Sequence, residues 1–93
     1  MSAQVREKPR SAAETGLGQP WIVILFNDDD HAFDDVVVQV QKATGCSQAE
    51  AYHITYAAHT HGQAVAYVGL KPACERVASI LREIALRVEI GEP

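Results

Sequence analysis

Apolar and polar positions follow distinct rhythms along this chain, and each rhythm predicts an element. Trp21–Phe26 is an unbroken apolar run that ends abruptly at Asn27, Asp28, Asp29 and Asp30. A short apolar run bounded by turn residues predicts a strand over about Trp21–Asn27, central in its sheet rather than at an edge. Phe33, Val36, Val37 and Val40 then fall at helical spacing, predicting a helix to about Ala43 with Gly45 as its stop. Asp34 and Asp35 sit in its first turn, where negative charge offsets the helix dipole. Ser47 and Glu50 match a capping box and open a second helix over about Gln48–Thr60, ending before Gly62. Gln63–Val68 is rich in β-branched and aromatic residues and predicts a second strand, broken by Gly69. Pro72 suits the first turn of a third helix, and Val77, Ile80, Leu81 and Ile84 extend it to about Leu86. Arg87–Ile90 alternates like a short final strand.

The order β-α-α-β-α-β predicts an α+β sandwich, a sheet covered on one face by helices. Residues 1–19 lack periodicity and contain Pro9, Gly16 and Gly18, so they read as a flexible extension before a core over residues 20–93.

Composition narrows the partners. The chain has 93 residues, 47% hydrophobic and 22% charged, which suits one small domain with a thin core. Residues 20–93 carry five Lys or Arg against ten Asp or Glu, a balance of −5. Such a domain repels phosphate backbones, which argues against nucleic acid, and favours basic or ammonium-bearing partners. The apolar runs fall far short of the roughly 20 residues that cross a bilayer. No apolar stretch follows Arg6, Lys8 and Arg10, so this segment does not read as a secretory signal. Cys46 and Cys74 form no CxxC and read as reduced thiols of a cytoplasmic protein.

All five Asp lie between Asp28 and Asp35. The cluster at the strand exit supports three readings: a polar turn capping a helix, a site for a hard cation, or a receptor for an ammonium group. An –NH3+ offers three donors and no acceptor, so converging acceptors with at least one negative charge bind it best. The spacing is not that of an EF-hand loop. His59 and His61 stand near the end of the second helix with His53 upstream, and neither cysteine has zinc-ligand spacing relative to them. Thr55, Ala58 and His59 share one helix face. An imidazole beside two small residues leaves a concavity of the kind a side-chain pocket needs, although such a face more often serves plain core packing. Ser11, Ser47 and Ser79 sit in no nucleophile motif, and Cys46 reads as a small apolar filler.

The order of these residues resembles the ClpS family, the small adaptors of Clp-type AAA+ proteases. The resemblance lies in Asn27-Asp28-Asp29 after the strand and in His59-Thr-His-Gly62-Gln-Ala64-Val65 at the helix end. Gly45-x-Ser47-x-x-Glu50-Ala51 and Ala73-Cys-Glu-Arg76-Val77 add to it, and it covers residues 20 to about 90. It implies a three-stranded antiparallel sheet with three helices packed on one face. It implies a non-enzymatic adaptor that binds protein substrates by a bulky N-terminal residue (Leu, Phe, Tyr or Trp) and delivers them to a Clp-family unfoldase. Asn27, Asp28 and His59 then correspond to the residues holding the free α-amino group. His31, Phe33, Val36, Thr55 and Ala58 correspond to the side-chain pocket, and Arg76 to a basic docking residue for the unfoldase's N-terminal domain. Residues 1–19 correspond to the family's flexible arm. No cofactor or metal is implied.

The chain departs from the family pattern in its specificity wall. Asp30-His31-Ala32-Phe33 replaces the family's aromatic-Thr-Pro-Met turn. Phe33 in place of Met narrows one wall, whereas Thr55 and Ala58 stand where larger apolar residues are common and widen another. Lys71 falls near where an acidic docking residue is expected. Two other readings follow: an interaction module that docks on the unfoldase without binding substrate N-termini, and a metal-dependent enzyme using Asp28, Asp29, His59 and His61.

Overall fold

In the computed structural model, which describes residues 19–92, Trp21–Phe26 forms strand β1. Helices α1 (Phe33–Thr44) and α2 (Gln48–His61) follow, then β2 (Gln63–Gly69), α3 (Lys71–Arg82) and β3 (Val88–Gly91). The expected N-terminal extension lies, but for Gln19, outside the described residues.

β1 is the central strand of an antiparallel sheet ordered β2-β1-β3, as its apolar run predicts. Three helices pack on one face, and the pleat therefore sorts β1 into two sides. Val23 and Leu25 are buried under the helices, while Ile22, Ile24 and Phe26 stay partly exposed on the open side. The β1–β2 ladder slips between Val23, paired with Tyr67, and Ile24, paired with Val65, so Ala66 is an extra residue in a bulge.

α1 contributes Val36, Val37, Val40 and Ala43 to the core, and α3 contributes Cys74, Val77, Ala78 and Leu81. α2 buries only the small residues Ala51, Thr55 and Ala58, which lets it lie close to its neighbours and turns its large side chains outward. Gln39 is buried between α1 and α3, and its Nε2–H donates to the Ile80 carbonyl at 2.7 Å, which satisfies a polar group water cannot reach.

The helix ends follow from local chemistry. Ser47 Oγ accepts the Glu50 N–H at 3.1 Å, fixing the start of α2 where the capping pattern places it. Gly45 and Gly62 close α1 and α2 in the left-handed region, with φ of 75° and 89°, and return their N–H groups to the Gln41 and Ala58 carbonyls.

Most element ends fall within one residue of the sequence expectation, β3 for example at Val88–Gly91 rather than Arg87–Ile90, and two differences have a clear physical cause. α3 ends at Arg82 rather than Leu86, because the chain turns through Glu83–Ala85, with Ala85 at φ 64°. Ile84 and Leu86 keep an apolar spacing but leave the helix axis, a distinction that periodicity does not register. Gly69 pairs with Trp21 as the last residue of β2 instead of breaking the strand. A Cβ there would meet the Tyr67 ring at 2.7 Å, so glycine makes room for a neighbouring side chain rather than for a turn.

Candidate functional site

Two backbone bonds bring the strand exit to the end of a distant helix. Asn27 N–H donates to the Gly62 carbonyl at 2.9 Å, and Phe26 N–H donates to the Arg87 carbonyl at 3.0 Å. Asn27 therefore emerges beside the last turn of α2, where His59 stands, and beside the turn that leads into β3.

Asp28 organises the loop that follows. Its Oδ1 accepts the N–H groups of Asp30 at 2.7 Å and His31 at 3.1 Å, the pattern of an Asx turn. The helix-capping reading of the Asp cluster is thereby corrected: α1 starts from Ala32, whose side chain caps nothing, and Asp28 stabilises the turn before it. Asn27 Nδ2–H donates to Asp29 Oδ1 at 3.2 Å, which leaves the Asn27 amide oxygen free to accept.

The imidazole of His31 reaches two acceptors. Nδ1 lies 2.8 Å from Asp28 Oδ2, and Nε2 meets the Ile84 carbonyl. A carboxylate and a carbonyl can only accept, so this geometry suits the doubly protonated ring, the form that the raised pKa favours. The bond to Asp28 is the main cause that raises the His31 pKa; desolvation opposes it, while the Ile84 carbonyl and the charges of Asp28 and Asp30 reinforce it. For Asp28, desolvation pushes the pKa up, but the Asp30 N–H, the His31 ring and the His31 N–H together outweigh it and hold the carboxyl below its ordinary value. Asp28 is thus held as an anion, with the His31 imidazole against one of its oxygens.

The loop borders a cavity of about 250 Å³. Its lining includes each residue that the resemblance assigns to the amine site or the side-chain pocket: Asn27, Asp28, His31, Phe33, Val36, Thr55, Ala58 and His59. Leu25, Phe26, Asp29 and Leu86 complete the wall. Leu25 was discoverable from strand alternation, since it shares the helix-covered side with Val23. Leu86 carried no such signal, because it follows an irregular turn. Val36, Thr55 and Ala58 are buried, whereas His59 is exposed at the rim. Thr55 Oγ1 donates to the Ala51 carbonyl at 2.8 Å, so its hydroxyl is satisfied within the helix. The Phe33 ring meets the edge of Tyr52, with centroids 5.1 Å apart.

The other candidates lie elsewhere. Arg76 is exposed on α3 and does not line the cavity. Lys71 Nζ sits 5.0 Å from the centre of the Trp21 ring. His53 and His61 are exposed outside the cavity wall. Among the described residues no three His, Cys, Asp or Glu side chains are grouped to hold a metal ion, and no helix is long and apolar enough to cross a membrane. Chemically, the cavity joins an anionic, acceptor-rich mouth to an apolar interior, an arrangement suited to a cation attached to an apolar group.

Comparison with known proteins agrees with this architecture. The profile of the family described as ATP-dependent Clp protease adaptor protein ClpS matches residues 18–91. The E3 ubiquitin-protein ligases UBR1 of Homo sapiens and Mus musculus are 32% and 31% identical to this chain over 72 residues, which is 77% of the chain. The chain spans about 4% of the length of these relatives. The structure of Agrobacterium tumefaciens ClpS2 bound to L-phenylalaninamide superposes with a TM-score of 0.75 at 21% identity, covering 81% of this chain and 98% of that one.

Proposed function

Because the chain belongs to the ClpS family of Clp protease adaptors, we propose that it binds proteins by a free, bulky N-terminal residue and delivers them to a Clp-family AAA+ unfoldase. One observation carries this reading. Asn27 and Asp28 from the strand exit and His59 from the end of α2 line the same cavity as Phe33, Val36, Thr55 and Ala58. A polar mouth of that composition fits an α-amino group, and the apolar interior fits the side chain attached to the same carbon.

The mechanism has two terms. The ammonium donates to the Asn27 amide oxygen, the Asp28 carboxylate and a ring nitrogen of His59, each charge-assisted bond contributing about 1.5–3 kcal/mol. The first side chain (Leu, Phe, Tyr or Trp) leaves water for the cavity, which contributes roughly 1.5–3 kcal/mol. Arg76, exposed on α3, takes part in docking on the unfoldase's N-terminal domain. The protein acts in the cytoplasm, uses no cofactor and catalyses no reaction of its own. ClpS2, whose solved structure holds L-phenylalaninamide, offers a parallel for a ligand with a free amine on an apolar residue.

A second reading has an observation in its favour. The Asp28 carboxylate already holds His31 and two backbone N–H groups. A module that docks on the unfoldase without taking substrate N-termini would have this loop closed on itself. Calorimetric titration with a Leu- or Phe-initiated peptide and its N-acetylated twin separates the two. Adaptor function requires binding of the free amine and its loss on acetylation. Equal binding of the twins, or none, favours the docking module.

A further inference from the structure

Phe33, a wall residue of the cavity, also touches the surface of α2. Its ring abuts Tyr52 edge-on at 5.1 Å, and Tyr52 lies parallel to Tyr56, with centroids 6.4 Å apart and 7° between planes. Both tyrosines are on α2 and are 52% and 54% exposed. They share the helix face of Thr55 and His59, which line the cavity. The three rings therefore form an aromatic shelf that continues the cavity wall onto the surface. Beyond it, a second, shallow depression is lined by Gln48, Ala49, Tyr52 and His53.

From the proposed binding of an N-terminal residue in the cavity, on which this inference rests, we propose that the shelf binds the second to fourth residues of the same chain end and favours aromatic side chains there. The direction is part of the proposal. With the amine at Asn27, Asp28 and His59, the chain leaves past Phe33, the wall residue whose ring touches Tyr52. The length agrees as well. Thr55–His59 and Gln48–His53 are centred about two helical turns apart, roughly 10 Å at 1.5 Å per residue. An extended peptide crosses that distance in about three residues. The chemistry selects the partner. Stacked tyrosines present flat apolar surface of low conformational entropy, which another aromatic ring covers in offset or edge-on geometry. The shelf thus adds a second determinant of substrate choice beyond the first residue.

The test is a peptide series of form Leu-X-X-X, with Trp moved through positions two, three and four of an otherwise Gly segment. Each is made with a free and an acetylated amine. Binding is measured to the full chain and to the variants Tyr52→Ser/Tyr56→Ser and Tyr52→Phe/Tyr56→Phe, whose folding is checked by thermal melting. Trp at one or more of these positions raises affinity over Gly by about two- to tenfold, the range of one aromatic pair. The gain disappears in the Ser pair and survives in the Phe pair, while the all-Gly peptide binds all three proteins alike. No gain at any position, or a gain that persists in the Ser pair, overturns the shelf and leaves the cavity reading standing. Free and acetylated peptides binding equally overturns the cavity reading, and the shelf falls with it.

Discussion

His31 and Asp28 form an internal ion pair, Nδ1 to Oδ2 at 2.8 Å, and the far side of the same imidazole holds the Ile84 carbonyl. One ring thereby joins the strand-exit loop to the turn that carries Leu86 into the cavity wall. The pair makes stability pH-dependent with a definite sign. The His31 pKa is raised in the folded protein, so its contribution is complete below the ordinary imidazole pKa and is lost as pH rises through the raised value. The Asp28 pKa is lowered, so its contribution is present above the ordinary carboxylate pKa and is lost as pH falls through the lowered value. Urea denaturation of the parent and His31→Ala from pH 3 to 9 should therefore differ most between about pH 4 and about pH 6.5, converging on either side. A difference independent of pH counts against the imidazolium.

Asp28→Asn keeps an acceptor for the Asp30 and His31 N–H groups but removes the negative charge. Affinity for a free-amine Leu peptide should fall by about 10- to 100-fold, the loss of one charge-assisted bond of roughly 1.5–3 kcal/mol. The acetylated twin, which lacks the ammonium, should not respond. Titration of both peptides on both proteins checks this.

Thr55→Met adds volume to a wall residue that is already buried. Peptides beginning with Trp or Tyr should lose affinity by about tenfold or more, those beginning with Leu least, because overfilling a packed space costs about 1–3 kcal/mol. Uniform loss across the four first residues would instead indicate that the substitution acts on folding.

Ala85 sits at φ 64°, a conformation that costs an L-residue about 1–2 kcal/mol. Glycine removes that strain and gives back about 0.5–1 kcal/mol through its freer unfolded chain. Ala85→Gly should stabilise the domain by about 0.5–1 kcal/mol, read from the urea midpoint. Destabilisation would refute the strain.

The two free thiols differ in access. Cys74 is fully buried, its pKa is raised by desolvation, and its Sγ–H donates to the Gly69 carbonyl at 3.5 Å. Cys46 is partly exposed. A thiol reagent should label Cys46 in the native protein and Cys74 only under denaturing conditions, as peptide mapping by mass spectrometry would reveal. Equal native labelling would contradict the packing around α3.

What the sequence determined by itself was the local content of the protein. The apolar run of β1, the Ser47 cap, the glycines at 45 and 62 and the helical spacing of Val36 and Val40 are short-range physics, and each appears where its pattern places it. The acceptor cluster at the strand exit and the Thr55, Ala58 and His59 face were legible for the same reason, whereas His31, Phe33 and Val36 entered as pocket candidates only through the resemblance to the ClpS family. Tertiary structure alone decided what those residues meet. The Asn27 to Gly62 bond brings strand exit and helix end together, and the left-handed turn at Ala85 ends α3 early and aims Ile84 and Leu86 at the loop. The bond from His31 to the Ile84 carbonyl and the edge-on contact of Phe33 with Tyr52 are contacts between elements. Such contacts arise from how packed surfaces settle against one another, and no spacing along a single segment encodes them.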